Sequence, residues 1–186
     1  MRRFSLASPI AQALGVVLAL TAAPAHPQAD RYPSPTERDF LTAHNLARND
    51  AGAPLLVWSD RLERDAQIWA EHLAARDLYE HASIEQRKGQ GENLWRGPRD
   101  RWSPWEMVGF FVDEKQHFRP GNFPEVSRTG RWSDVGHYTQ IIWPETREVG
   151  CAIARTRTDE VLVCRYWPAG NIWGQRIETA GERSRR

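Results

Sequence analysis

The chain of 186 residues carries 25 lysines and arginines against 24 acids, for a formal charge of +1, with 26% charged and 40% apolar residues. This near-neutrality withholds the electrostatic attraction that nucleic acid or an anionic membrane would need, so both are set aside as partners. Length and composition describe one folded domain with a core of its own and exclude a disordered chain.

The first segment reads as a secretory signal over residues 1–25. Arg2 and Arg3 give a basic start, residues 10–23 are mostly small and aliphatic, and Ala23-Pro24-Ala25 has the form of a signal-peptidase site. The apolar run is short of the roughly 20 residues that span a bilayer, which leaves an uncleaved anchor as the lesser reading. A second cut after Ala29 would move the mature start by a few residues. Cleavage removes two arginines and no acid, leaving 23 bases against 24 acids and a charge of −1. No other segment is apolar enough to cross a membrane, so a secreted or periplasmic product without a transmembrane anchor is expected. Both cysteines then enter an oxidising compartment, where Cys151 and Cys164 are expected to form a disulfide. Neither stands at a helix start, where a reactive thiol would be found.

A short linker, residues 26–35, leads to Ser34-Pro35-Thr36-Glu37, a capping box with proline at the first helical position. It predicts a helix from there to about Asp50, stopped by Gly52. Leu55-Leu56-Val57-Trp58 reads as a short strand. Asp60 then opens a helix whose Leu62, Ala66, Trp69 and Leu73 recur at three- and four-residue steps on one face. Residues 84–91 and 96–101 are polar, contain Gly and Pro, and read as exposed loops. Ser103-Pro104-Trp105-Glu106 repeats the helix-start signature for a helix through about His117, ended by Pro120-Gly121. Residues 123–132 offer another strand. Residues 149–154 and 161–166 form an antiparallel hairpin around a polar turn. Helices and an antiparallel sheet in one domain predict an α+β fold.

Chemistry-bearing residues stand out in two places. His81 follows Asp77-Leu78-Tyr79-Glu80 at the end of the second helix, and His137 lies in Gly136-His137-Tyr138-Thr139-Gln140. Glu92, in Gly91-Glu92-Asn93-Leu94, and Glu114, on the helix that begins at Ser103, are the carboxylates that accompany them. His44 and Asn45 are expected to bond backbone groups, Asn93 and Asn171 to fix loops, and Tyr138, Thr139 and Gln140 to line or support the cleft. His26 falls at the cleaved terminus, while His72 and His117 read as solvated surface. Trp102 and Trp105, beside a helix start, are read as core before an exposed apolar rim.

Four motifs carry a family resemblance. They are Leu41-Thr42-Ala43-His44-Asn45-Leu46-Ala47-Arg48, the Gly91–Leu94 tetrapeptide, residues 136–143 with Thr146, and residues 161–172 around Cys164-Arg165-Tyr166. In this order they resemble the CAP superfamily, named for cysteine-rich secretory proteins, antigen 5 and pathogenesis-related proteins of class 1, whose module is also called the SCP domain. The resemblance covers about residues 36–174; the CAP domain is placed at 36–176, with a polar tail over 177–186. It implies a three-layer α-β-α sandwich with a central antiparallel sheet. It further implies that His81, Glu92, Glu114 and His137 converge as a cleft tetrad. Val135 and Gln90 stand where eukaryotic members carry cysteines, which marks a reduced, single-disulfide version of bacterial type. Nine tryptophans are expected to supply the packing that the missing bridges do not.

The tetrad admits several chemistries. Two neutral imidazoles across a cleft, His81 and His137, could hold zinc or another divalent cation, with the carboxylates orienting them. Glu92 or Glu114 as general base toward a metal-bound water would make a metal-dependent, protease-like hydrolase. The same two glutamates formally satisfy the carboxylate pair of a glycosidase, and all four residues could equally be a buried polar network that pins helices to sheet. No His-Glu-x-x-His helix and no serine elbow is present, so a binding or interaction module is preferred over an enzyme. The resemblance suggests lipids, sterols or extracellular proteins as partners, and no organic cofactor.

Overall fold

The computed structural model describes residues 34–179. The expected signal segment, nearly all of the linker and most of the tail lie outside the described residues. Helix α1, Pro35–Ala51, starts on the predicted capping box: Glu37 N donates to Ser34 Oγ at 3.2 Å, and Ser34 N donates to Glu37 Oε2 at 2.8 Å. It ends on Gly52, whose φ of 70° is the left-handed conformation that closes a helix at little cost for glycine. Strand β1, Val57–Trp58, leads into α2, Asp60–Arg76. A short helix α3, Ile84–Arg87, precedes β2, Gly91–Pro98. Helix α4, Pro104–Val112, begins on the Ser103–Glu106 box and tightens into a 3₁₀ turn, Asp113–His117. Strand β3, Gly121–Asn122, a second 3₁₀ turn, Trp132–Asp134, helix α5, Gly136–Ile141, and strands β4, Glu148–Arg155, β5, Asp159–Trp167, and β6, Arg176–Ile177, complete the order.

The main sheet runs β1-β4-β5-β2, and β3 pairs with β6 in a separate two-stranded ribbon. Side-chain alternation along β4 and β5 creates two cores. Val149, Cys151, Leu162, Cys164 and Tyr166 face α1, α4 and α5, packing with Phe40, Ala47, Met107, Phe111, Tyr138 and Trp143. Ala152, Ala154, Val161 and Val163 face α2, packing with Ala66, Trp69, Ala70 and Leu73. Helices thus cover both faces, as the sandwich requires. The α2 face is built of small residues because the helix comes very close: a Cβ on Gly150 would lie 2.2 Å from Glu63 N. The disulfide is present, and Cys151 and Cys164 are direct cross-strand neighbours. Non-reducing peptide mapping of the native protein should recover these two cysteines in one linked peptide pair, and free thiols would contradict it.

Four local expectations are corrected. The sheet is mixed, because β1 pairs in parallel with β4 (Val57 with Glu148, Trp58 with Val149). Here the chain crosses from the α1 layer to the α2 layer past the outer edge of β4, and the passing segment pairs in the direction it travels. Residues 96–98 are strand and not loop, paired with β5 out to Pro98–Asp159. Arg96, on this edge, is satisfied by Asp159 Oδ2 at 2.8 Å and by Asp77, so a polar sequence is compatible with an edge strand. Within 84–91, Ser83 and Gln86 form an unforeseen capping box that folds α3. Residues 123–132 form no strand; their neighbourhood contributes only β3 and the isolated bridge Phe118–Ser127.

Candidate functional site

His81 and Glu92 meet at the α2-side end of the sheet. Helix α2 stops at Arg76, so His81 lies five residues beyond it in an irregular segment. Two anchors hold that segment: Trp69 Nε1 donates to Glu80 O at 3.2 Å, and Tyr79 OH donates to Leu94 O at 3.0 Å. Strand alternation turns Glu92 toward the α2 face with Leu94, where it is fully buried opposite Arg165 on β5. His81 Nδ1–H donates to Glu92 Oε1 at 2.7 Å and Ala82 N–H to the same oxygen at 3.0 Å. Arg165 Nη2 stands 2.9 Å from Glu92 Oε2; the contact is an ion pair by distance without the alignment of a good hydrogen bond. Burial pulls the Arg165 guanidinium below its usual pKa, and the Glu92 charge opposes that shift.

The second pair forms on the other side of the sheet's end. Glu114, in the 3₁₀ turn after α4, caps α5: its Oε2 accepts from the backbone N–H of His137 at 2.8 Å and of Tyr138 at 3.0 Å. A carboxylate at a helix start satisfies free N–H groups and complements the helix dipole. Its Oε1 accepts from His137 Nδ1–H at 2.6 Å, and the Phe111 ring stacks on the imidazole at 4.8 Å. Each histidine therefore has Nδ1 fixed by a carboxylate and Nε2 carrying the lone pair. His81, Glu92 and His137 line one cavity of about 470 Å³, while Glu114 stands behind His137. The structure thus gathers all four residues into two His–Glu pairs at one cleft.

A family model described as the cysteine-rich secretory protein family, CAP, matches residues 41–166. The chain belongs to this family. Pathogenesis-related protein 1A of Nicotiana tabacum is 36% identical over 143 residues, covering 75% of this chain and 79% of that protein. The human Golgi-associated plant pathogenesis-related protein 1 is 30% identical over 135 residues, covering 72% and 83%. The crystal structure of NaASP2 with Zn²⁺ superposes with a TM-score of 0.62 at 25% identity, covering 78% of this chain and 86% of that one. These relatives are plant and animal proteins, so the expected bacterial type finds no support among them. Among the described residues, no helix is long and apolar enough to cross a membrane.

A buried relay ties this CAP domain's cleft to its core. Asn93 Nδ2 donates to His137 O and to Tyr166 Oη, each at 3.1 Å, and Tyr166 donates on to His44 Nε2 at 2.8 Å. His44 Nδ1–H donates to Phe40 O at 2.7 Å, which closes the chain on α1. Asn45 bonds both the N–H and C=O of Leu56, Asn171 bonds Gly136 O, and Gln140 accepts from Gly170 N, so these amides have the structural roles expected of them. Of the residues expected to line the cleft, Gln140 does, whereas Tyr138 is buried in the core. His72 is not merely solvated: it stacks on Trp69 at 4.5 Å.

A different donor set, His44 with Cys151 and Cys164, brings its ligand atoms within 4.8 Å of one another. With the cysteines joined in a disulfide there is no thiolate to ligate, and both His44 nitrogens are engaged, so the oxidised protein cannot bind a metal there. The residues that sequence reasoning missed are Arg165, Arg87, Trp132 and Trp173. Arg165 sits inside the motif over residues 161–172, but only the β2/β5 register shows that it faces Glu92. Trp143 and Trp69 pack as expected, and Trp102 is partly buried in the core cluster, whereas Trp105, Trp132, Trp167 and Trp173 are exposed.

Proposed function

We propose that this CAP protein is an exported binding module whose cleft holds a divalent cation such as zinc between His81 and His137. The observation that carries the reading is the paired geometry: a carboxylate fixes each Nδ1, at 2.7 and 2.6 Å, which leaves each Nε2 unengaged by that carboxylate, and both histidines line one cavity. Carboxylate–imidazole pairs of this kind orient and strengthen metal-ligating histidines. The cation would supply Lewis acidity and an attachment point for an oxygen donor of the ligand. The presence of Zn²⁺ with NaASP2 supports the choice of metal.

The same geometry supports binding over hydrolysis. Glu92 already accepts from His81 and Ala82 and faces Arg165, and Glu114 accepts from three donors. Neither carboxylate is free to take a proton from water, and Glu114 does not face the cavity, so the two do not flank a glycosidic bond either. Export follows from the signal reading of residues 1–25, with a secreted or periplasmic destination. A lipid, a sterol or an extracellular protein is the partner class carried over from the family.

Calorimetric titration tests the metal site. Zinc should bind the parent and should bind the His81→Ala/His137→Ala double variant at least about 100-fold more weakly. Glu92→Gln should weaken binding by roughly 10–100-fold through loss of ligand orientation. Equal affinity in parent and double variant would remove the metal site. Activity on peptide or ester panels that is lost in Glu92→Gln would restore the hydrolase.

A further inference from the structure

The cavity that His81 and His137 line has a second, aromatic wall. Trp132 and Trp173 stand on it, 43% and 70% exposed. Both indoles lean on the buried ring of Phe123, with centroids 5.5 and 6.4 Å away and planes crossing at 61° and 82°. Phe123 is itself fixed against the buried Trp143 at 6.2 Å. Tryptophans supported from behind yet left this open give up the burial that usually draws an indole inward.

Arg87 lines the same cavity. Its side chain makes no hydrogen bond or ion pair among the described residues, and its Nε is buried without a partner. No cleft acid answers its charge, because Glu92 is held by His81, Ala82 and Arg165, and Glu114 lies behind His137. The groups left available are therefore a cation, two imidazole nitrogens and two indole faces.

We propose that the cleft binds an acidic carbohydrate, a uronate-bearing oligosaccharide whose carboxylate pairs with Arg87 and whose pyranose rings stack on Trp132 and Trp173. This rests on the cleft being a ligand site, as proposed above, and not on the metal. A pyranose presents an apolar C–H face and a rim of hydroxyls, which suits an indole with one face in water beside polar walls. An acyl chain would need a closed apolar tunnel, and this wall also carries Asn93, Gln140 and Asn171. A guanidinium binds a carboxylate through paired N–H donors, which gives selectivity for the acid over its ester. The volume, about 470 Å³, lies in the range of small-ligand sites.

The test uses the full chain in excess EDTA, followed by tryptophan emission and calorimetry. The probes are a short oligogalacturonate, its fully methyl-esterified form and an aspartate-rich peptide. The parent should bind the oligogalacturonate about tenfold or more tightly than the ester. Arg87→Gln should abolish that preference. Trp173→Ala and Trp132→Ala should weaken both sugars by about tenfold, and Trp173→Tyr should restore most of the loss, with unchanged thermal melts showing that the variants fold. Absence of saturable sugar binding, preference for the acidic peptide, or oligogalacturonate affinity indifferent to Arg87→Gln and Trp173→Ala would each overturn the proposal. Because EDTA removes the cation, the result is independent of the zinc titration.

Discussion

Replacing Arg48 with methionine is expected to destabilise the domain by about 4 kcal/mol, in the far tail of single-residue effects. Arg48 is fully buried on α1 and donates to four backbone carbonyls: Pro54 O through Nε, Ile141 O at 2.7 Å and Trp143 O at 2.9 Å through Nη1, and Thr146 O at 3.0 Å through Nη2. Two of these carbonyls have a further donor, Trp143 O from Thr146 N and Thr146 O from the Arg147 side chain. Pro54 O and Ile141 O would be left with none among the described residues, each a desolvated acceptor costing roughly 1–3 kcal/mol. Release of the buried charge offsets part of the loss, since burial already lowers the Arg48 pKa to about 10. Lysine keeps the charge but cannot fork to four oxygens, so Arg48→Lys should lose about half as much. Denaturant unfolding checks both variants; a methionine variant within 1 kcal/mol of the parent would show that water replaces the guanidinium. Ile141 closes the helix that carries His137, so the folded methionine variant should also bind zinc more weakly.

The role of Arg48 shows where the sequence stops being informative. Its place in the first motif is visible, but three of the four carbonyls it gathers lie 93 to 98 residues away, at the end of α5 and in the turn after it. Elements governed by local chemistry are readable: the Ser34 and Ser103 capping boxes, the Gly52 stop, the apolar stripe of α2 and the β4–β5 hairpin. Elements that depend on distant pairing are not. Strand β2 carries Arg96, Gly97 and Pro98, a loop by composition, and becomes a strand only because β5 supplies its partner and Asp159 its counter-charge. Strand β1 joins in parallel for a topological reason that two residues cannot encode.

The cleft divides along the same line. Glu92 and His137 lie in the family motifs, His81 and Glu114 join them only as the resemblance implies, and the pairing of His81 with Glu92 and of His137 with Glu114 is a product of the fold. Arg165 behind Glu92 and the two indoles on the far wall follow from register and loop placement, for which no local pattern exists. Composition treats a tryptophan as packing material, and only the folded chain separates Trp143, wholly buried, from Trp173, 70% exposed.

Acidification is expected to weaken the fold through His44. Burial holds this imidazole neutral, with its pKa lowered from 6.5 to about 4. Between those values the unfolded chain binds a proton that the native state refuses, so stability rises with pH across the window. The contribution is complete above about pH 6.5 and is lost as pH falls: about 2 kcal/mol at pH 5 and about 3 kcal/mol by pH 4, where the native state begins to take the proton itself. Protonation cannot be accommodated in place, because Nε2 must accept from Tyr166 and Arg48 adds repulsion nearby. His44→Gln does not titrate, and its amide can donate to Phe40 O and accept from Tyr166. Chemical unfolding at pH 7 and pH 5 should therefore show a smaller difference in the glutamine variant than in the parent, by about 2 kcal/mol. Equal differences would place the acid sensitivity elsewhere. Since the relay from His44 runs through Tyr166 and Asn93 to the carbonyl of His137, acid should loosen the His137 side of the cleft together with α1.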